Sequence, residues 1–116
     1  MKTDIYIHEG FMGRKYVGYC KDGNIYSGTS TGWSANMIGE YKNGEVFYGT
    51  GWNKKLVGGY KNGEVYEGSG WNSKTIGKYK DGTIYSGYGF STKIVANYDG
   101  IDAGAAAAAF LLLLNR

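Results

Sequence analysis

The sequence predicts an all-β fold of antiparallel hairpin repeats, arranged like a barrel around one buried C-terminal helix. Three observations predict it. A unit of 19 residues recurs along the chain. Asn-Gly or Asp-Gly separates one unit from the next. The chain then ends in twelve consecutive apolar or glycine residues, Ala103 to Leu114. Together they predict a single domain over 1–116, with hairpins in 5–99 and a helix in 103–114.

The repeats set the strand pattern. NGEVFYGTGWNKKLVGGYK (43–61) is followed by NGEVYEGSGWNSKTIGKYK (62–80) and DGTIYSGYGFSTKIVANYD (81–99). DGNIYSGTSTGWSANMIGEYK (22–42) precedes them and is two residues longer. IYIHEGFMGRKYVGYCK (5–21) reads as a degraded opening copy. Each copy offers two strands, such as Glu45 to Trp52 and Leu56 to Lys61, giving about ten in an up-and-down meander.

The dipeptides Asp22-Gly23, Asn43-Gly44, Asn62-Gly63 and Asp81-Gly82 suit two-residue type I′ turns, whose central residues both need positive φ. Asn53-Lys54-Lys55 and Asn72-Ser73-Lys74 make looser polar turns. A two-residue turn sets Lys42 opposite Glu45 and Lys61 opposite Glu64, pairs worth about 0.2–1 kcal/mol each. It also sets Tyr41 opposite Val46 and Tyr60 opposite Val65. Counting by twos from there collects Val46, Trp52, Leu56 and Tyr60 on one face, the expected core. Phe47, Gly49, Gly51 and the charged pairs take the other. A bulge at a strand glycine would exchange the faces beyond it.

The last segment explains how such a chain fills its interior. Asp102 suits an N-cap, and Ala and Leu are strong helix formers. Asn115 and Arg116 close the helix. A helix apolar on every side must be buried on every side. Twelve residues span about 18 Å, short of the roughly 30 Å of a bilayer core. The expected site is therefore the protein's own interior, where a thin alanine helix fits between glycine-rich walls.

The Y-x-G-x-G-W repeats, the K-[DN]-G turns and the ending IDAGAAAAAFLLLL resemble the bacterial 4-fold β-flower domain family over nearly the whole chain. That resemblance implies hairpin petals in pseudo-four-fold arrangement around the C-terminal helix. It implies no established activity, and so no catalytic or binding residue. Tyr66-Glu67-Gly68 also resembles part of a MORN repeat, without its second half or its longer period.

Composition narrows the function. The chain holds 21 Gly, 12 Tyr and no Pro, with 16% aromatics to build a core, which argues against a disordered linker. Net charge is +3 and reads as spread along the chain, so a nucleic-acid partner is not expected. One cysteine excludes an internal disulfide framework. The first ten residues lack an apolar run, so no secretory leader is expected and a cytoplasmic location is the default. No transmembrane segment is expected.

Chemistry is sparse. His8 is the single histidine and reads as a surface or turn residue, without partners at metal-ligand spacing. Cys20 fills the repeat position held by Tyr41, Tyr60, Tyr79 and Tyr98, so it reads as a small buried substitute rather than a nucleophile. Glu45 and Glu64 face turn lysines, unlike the paired acids of a glycosidase. Gly68-Ser69-Gly70 lacks the strand-to-helix context of a phosphate loop. No catalytic, cofactor or metal residue is assigned, and the expectation is a non-enzymatic structural or interaction module.

Two aromatic sets remain: Trp33, Trp52, Trp71 and Phe90, each before a polar turn, and Tyr26, Phe47, Tyr66 and Tyr85. Both are expected to close the ends and flanks of the core, in which case Trp52→Ala would cost about 3–5 kcal/mol. The alternative is a carbohydrate- or peptide-binding surface. Trp33, Trp52, Trp71 and Phe90 would then contact the ligand, with Asn53, Asn72 and Ser34 beside them. A membrane-active role for the C-terminal helix is a third reading. The partner, protein or glycan, and the oligomeric state are not legible.

Overall fold

The computed structural model describes residues 2–9, 13–28, 36–68, 70–87 and 89–115. Ten antiparallel strands form one closed barrel: β1 (Lys2–Glu9), β2 (Gly13–Lys21), β3 (Asn24–Ser27), β4 (Asn36–Lys42), β5 (Glu45–Tyr48), β6 (Lys55–Lys61), β7 (Glu64–Glu67), β8 (Lys74–Lys80), β9 (Thr83–Ser86) and β10 (Lys93–Asp99). Each strand lies beside its chain neighbours, and β1 pairs with β10 to close the ring.

The turns behave as their sequence dictates. Asp22, Asn43, Asn62 and Asp81 have φ of 50–53°, and the following glycines 81–87°. Lys42 lies opposite Glu45, Tyr41 opposite Val46, Lys61 opposite Glu64 and Tyr60 opposite Val65. The turns are also stitched to one another. The backbone N–H groups of Tyr41, Tyr60, Tyr79 and Tyr98 donate to the carbonyls of Gly23, Gly44, Gly63 and Gly82 in the preceding turns. Four turn-joined hairpins account for four of the strand pairs; β10 and β1 make a fifth from the two ends of the described chain. Four repeats in sequence thus become five two-stranded units in space.

Each unit places one β-branched residue inside. Ile5, Ile25, Val46, Val65 and Ile84 are fully buried, each burial worth about 1.5–3 kcal/mol. Beside them Tyr41, Tyr60, Tyr79 and Tyr98 reach the core, with Cys20 in the fifth position. Cys20 is fully buried, as its place in the repeat predicts.

The expected core face is correct for Val46 and Tyr60 and wrong for Leu56 and Trp52. Every long even-numbered strand carries a bulge, at Val17, Ile38, Val57, Ile76 and Val95. The extra residue reverses the alternation beyond it. Val57 therefore packs against the core, while Leu56 pairs with outward-facing Phe47. The expected strand Glu45 to Trp52 stops at Tyr48, because Gly49 and Gly51 turn out of the sheet with φ of 90° and 65°.

Helix α1 (Ala103–Ala109) runs into a π-helical turn, Phe110–Leu114, and Gly104 through Leu112 are buried within the barrel. Asp102 does not cap through its side chain. Its carbonyl accepts from Ala106 N–H at 2.9 Å, its N–H donates to Thr3 Oγ1 at 3.0 Å, and its Oδ2 accepts from Tyr41 O–H at 3.0 Å. The carboxylate is thus spent on tying the helix start to the wall.

The fit is reciprocal along the axis. At the helix start, Tyr60 and Tyr79 close on Gly104. At its end the large residues are on the helix and the small ones on the wall. Leu111, Leu112, Leu113 and Leu114 rest on Gly77, Gly58, Gly39 and Gly18, one leucine to each successive unit. The glycine walls therefore receive the leucines, not the alanines as the sequence suggests. Ordinary α-helix turns about 100° per residue, whereas five units around one turn require about 72°, which the wider π turn approaches. Asn115 N–H closes that turn on the Phe110 carbonyl at 2.8 Å.

Candidate functional site

The antiparallel ring has two different ends. One carries the four type I′ turns. The other carries the connections β1–β2, β3–β4, β5–β6, β7–β8 and β9–β10. Three of these, at the loop end, form short 3-10 turns: Gly51–Asn53, Gly70–Asn72 and Gly89–Ser91. Their geometry follows from paired glycines. Gly49, Gly68 and Gly87 have φ of 89–98° and leave the strand; Gly51, Gly70 and Gly89 have φ of 56–65° and redirect the chain outward. The N–H groups of Gly49, Gly68 and Gly87 donate at 2.8–2.9 Å to the carbonyls of the bulged residues Ile38, Val57 and Ile76.

Each turn then presents an aromatic ring to solvent. Trp52, Trp71 and Phe90 are fully exposed, at 102, 103 and 111% of the reference area. This corrects the expectation that they close the core. Bulge and glycine kinks together carry these side chains away from it. Asn53 and Asn72 are exposed beside them. Trp33 and Ser34 lie outside the described residues. The second aromatic set is also outside the core. Tyr26 stacks on Tyr19 with centroids 4.7 Å apart, and Lys54 and Lys78 lie over the rings of Phe47 and Tyr85 at 4.9 and 5.5 Å.

One loop has an added clasp. Glu40 accepts from Gly51 N–H at 3.2 Å and from Lys54 Nζ at 3.0 Å, and these bonds hold its carboxyl below the usual range. The equivalent positions are Gly59, Lys78 and Asn97, so the neighbouring loops lack this acid.

The cations of the described residues are divided between the two ends of the barrel. Six cations lie at the loop end: Lys54 in its loop, and Arg14, Lys15, Lys55, Lys74 and Lys93 at the adjoining strand ends. Three acids meet this end from the strands: Glu40 on Lys54, Glu67 opposite Lys74, and Glu9 at the end of β1 opposite Gly13. Between the loops and the helix end lies a cleft of about 340 Å³ lined by Tyr48, Val57, Leu112 and Leu113.

The reactive groups do not converge. Cys20 is sealed in the core, where burial, then the nearby Asp102 charge, pushes its thiol pKa up. That holds it protonated, the opposite of an activated nucleophile. His8 is exposed on β1, opposite Arg14. Among the described residues no three His, Cys, Asp or Glu side chains are grouped to hold a metal ion. Nor is any described helix long and apolar enough to cross a membrane. The chain matches no family model, no curated protein and no solved structure.

Proposed function

We infer that this protein is a non-enzymatic interaction module that binds through the loop end of its barrel, with Trp52, Trp71 and Phe90 as contact residues. One observation carries this reading: three large rings at equivalent positions stand wholly in water, where they contribute nothing to the core. Aromatic side chains supply much of the energy of recognition surfaces, and their recurrence at three equivalent loop positions supports a binding role. The barrel, closed by β1–β10 and filled by its helix, is the rigid mount. The exposed Asn53 and Asn72 favour a second reading, a glycan stacked on indole with an amide at its edge.

The triple variant Trp52→Ala/Trp71→Ala/Phe90→Ala tests the assignment. It is expected to melt with the wild-type chain and to lose whatever ligand a panel of glycans, peptides and lipid vesicles reveals. A melting temperature far below wild type would show that the rings hold the fold together, and would remove the loop end as a binding face.

A further inference from the structure

We propose that the loop end docks on an anionic lipid surface, a reading that rests on the loop end being the binding face. The first support is the shape around the rings. An indole that is fully exposed has no walls beside it. A small rigid ligand gains little from a ring without a pocket, because most of that ligand's surface stays in water. A deformable phase surrounds such a ring on every side. The headgroup region of a bilayer is such a phase, and Trp and Phe partition into it.

The second support is charge. The loop end carries six cations, Lys54 in its loop and five at the adjoining strand ends, against three acids, Glu9, Glu40 and Glu67. Lys54 is paired with Glu40 and Lys74 lies opposite Glu67, which leaves Arg14, Lys15, Lys55 and Lys93. At the opposite end seven acids, Asp4, Asp22, Glu45, Glu64, Asp81, Asp99 and Asp102, are met by six lysines, Lys2, Lys21, Lys42, Lys61, Lys78 and Lys80. The excess positive charge therefore lies where the rings protrude. Basic side chains near an anionic leaflet contribute about 1 kcal/mol each.

The third support is topology. All five connections leave the same end of a closed antiparallel ring, so the three described loops present Trp52, Trp71 and Phe90 on one side of the molecule. Several weak contacts on one rigid body add into one stable attachment. The cleft lined by Tyr48, Val57, Leu112 and Leu113 adds apolar surface beside the rings.

Flotation of the intact chain with phosphatidylcholine vesicles, with and without phosphatidylglycerol, tests the proposal. The expected result is binding to the mixed vesicles, weakened by salt, with a blue shift in tryptophan emission. Lys55→Ala/Lys93→Ala is expected to weaken it severalfold, and Trp52→Ala/Trp71→Ala/Phe90→Ala by at least about tenfold. Glycerol phosphate in solution should not compete; if it displaces the protein, the site reads a free phosphate and the proposal fails. No flotation with anionic vesicles at low salt would also overturn it. Binding left unchanged by the aromatic triple variant would do the same. If vesicles fail but a glycan or peptide binds and is lost in the triple variant, the lipid assignment falls while the loop end stands. If the triple variant does not fold, both fall.

Discussion

Leu113 sits on Gly39: its Cδ1 lies 2.7 Å from where a β-carbon on that glycine would be. The neighbouring Leu112 stands in the same relation to Gly58, at 3.0 Å. The barrel wall and the terminal helix are thus matched residue by residue, with no slack for one methyl group.

Gly39→Ala is expected to destabilise by about 3 kcal/mol, because the new methyl meets both Leu113 and the Phe47 carbonyl in a packed interior. Gly51→Ala is the control. Nothing lies within 4 Å of its added methyl, so only the positive φ of 65° is penalised, at about 1–2 kcal/mol. Urea melts of the two variants check the difference.

Leu112→Asp places a carboxylate in the fully buried helix end, and a loss above about 4 kcal/mol is expected. Lys55→Asp, on an exposed strand start, should change stability by no more than about 0.5 kcal/mol. Equal melting temperatures would show that the helix is not interior. Truncation before Ala103 should abolish cooperative unfolding.

Alkaline pH should unfold the protein. Burial, then the charge of Asp102, raises the Tyr60 pKa, and burial is also the main cause of the raised values at Tyr41 and Tyr16. These phenols ionise more readily in the unfolded chain, at about pH 10. Their stabilising contribution is therefore complete below that value and is lost as pH rises beyond it. Cys20, raised for the same reason, acts in the same direction from about pH 8.5. Thermal melts from neutral pH to pH 11 should show a plateau followed by a fall. Cys20 should resist thiol reagents until the chain unfolds.

Much of this fold was legible in the sequence. The Asn-Gly and Asp-Gly turns fixed four hairpins, and the pairs Lys42–Glu45 and Tyr41–Val46 followed by counting. Cys20 was placed by its repeat position. The faces of the even-numbered strands were not legible beyond the bulges. Ile38, Val57, Ile76 and Val95 are good strand residues inside good strand runs; the glycines that follow the first three allow a bulge but do not say which residue is extra. The error carried Leu56 and Trp52 inward on paper. A further signal was the pair of glycines before each ring, Gly49 and Gly51 in the β5–β6 loop, whose positive φ ends the strand. The β1–β10 closure was hidden by its span from Ile5 to Tyr98, with no shared turn to announce it. The π turn was hidden because FLLLL fits an α-helix equally well by composition; only the ring of units around it selects the wider winding.

Trp52→Ala should change stability by no more than about 0.5 kcal/mol, the range of surface substitutions, rather than the cost of a core truncation. The same holds for Trp71→Ala. A chemical melt of each variant checks this.

Acrylamide quenching of tryptophan emission tests the central claim most directly, because the account requires the rings at the loop end to be free in the unbound protein. Trp33→Phe leaves Trp52 and Trp71 as the emitters. The expected spectrum is red, close to that of free indole in water, and quenching should approach that of a free tryptophan analogue. A blue-shifted, protected emission in the ligand-free chain would contradict the account, since it would put both indoles in the core and leave the loop end without its contact residues.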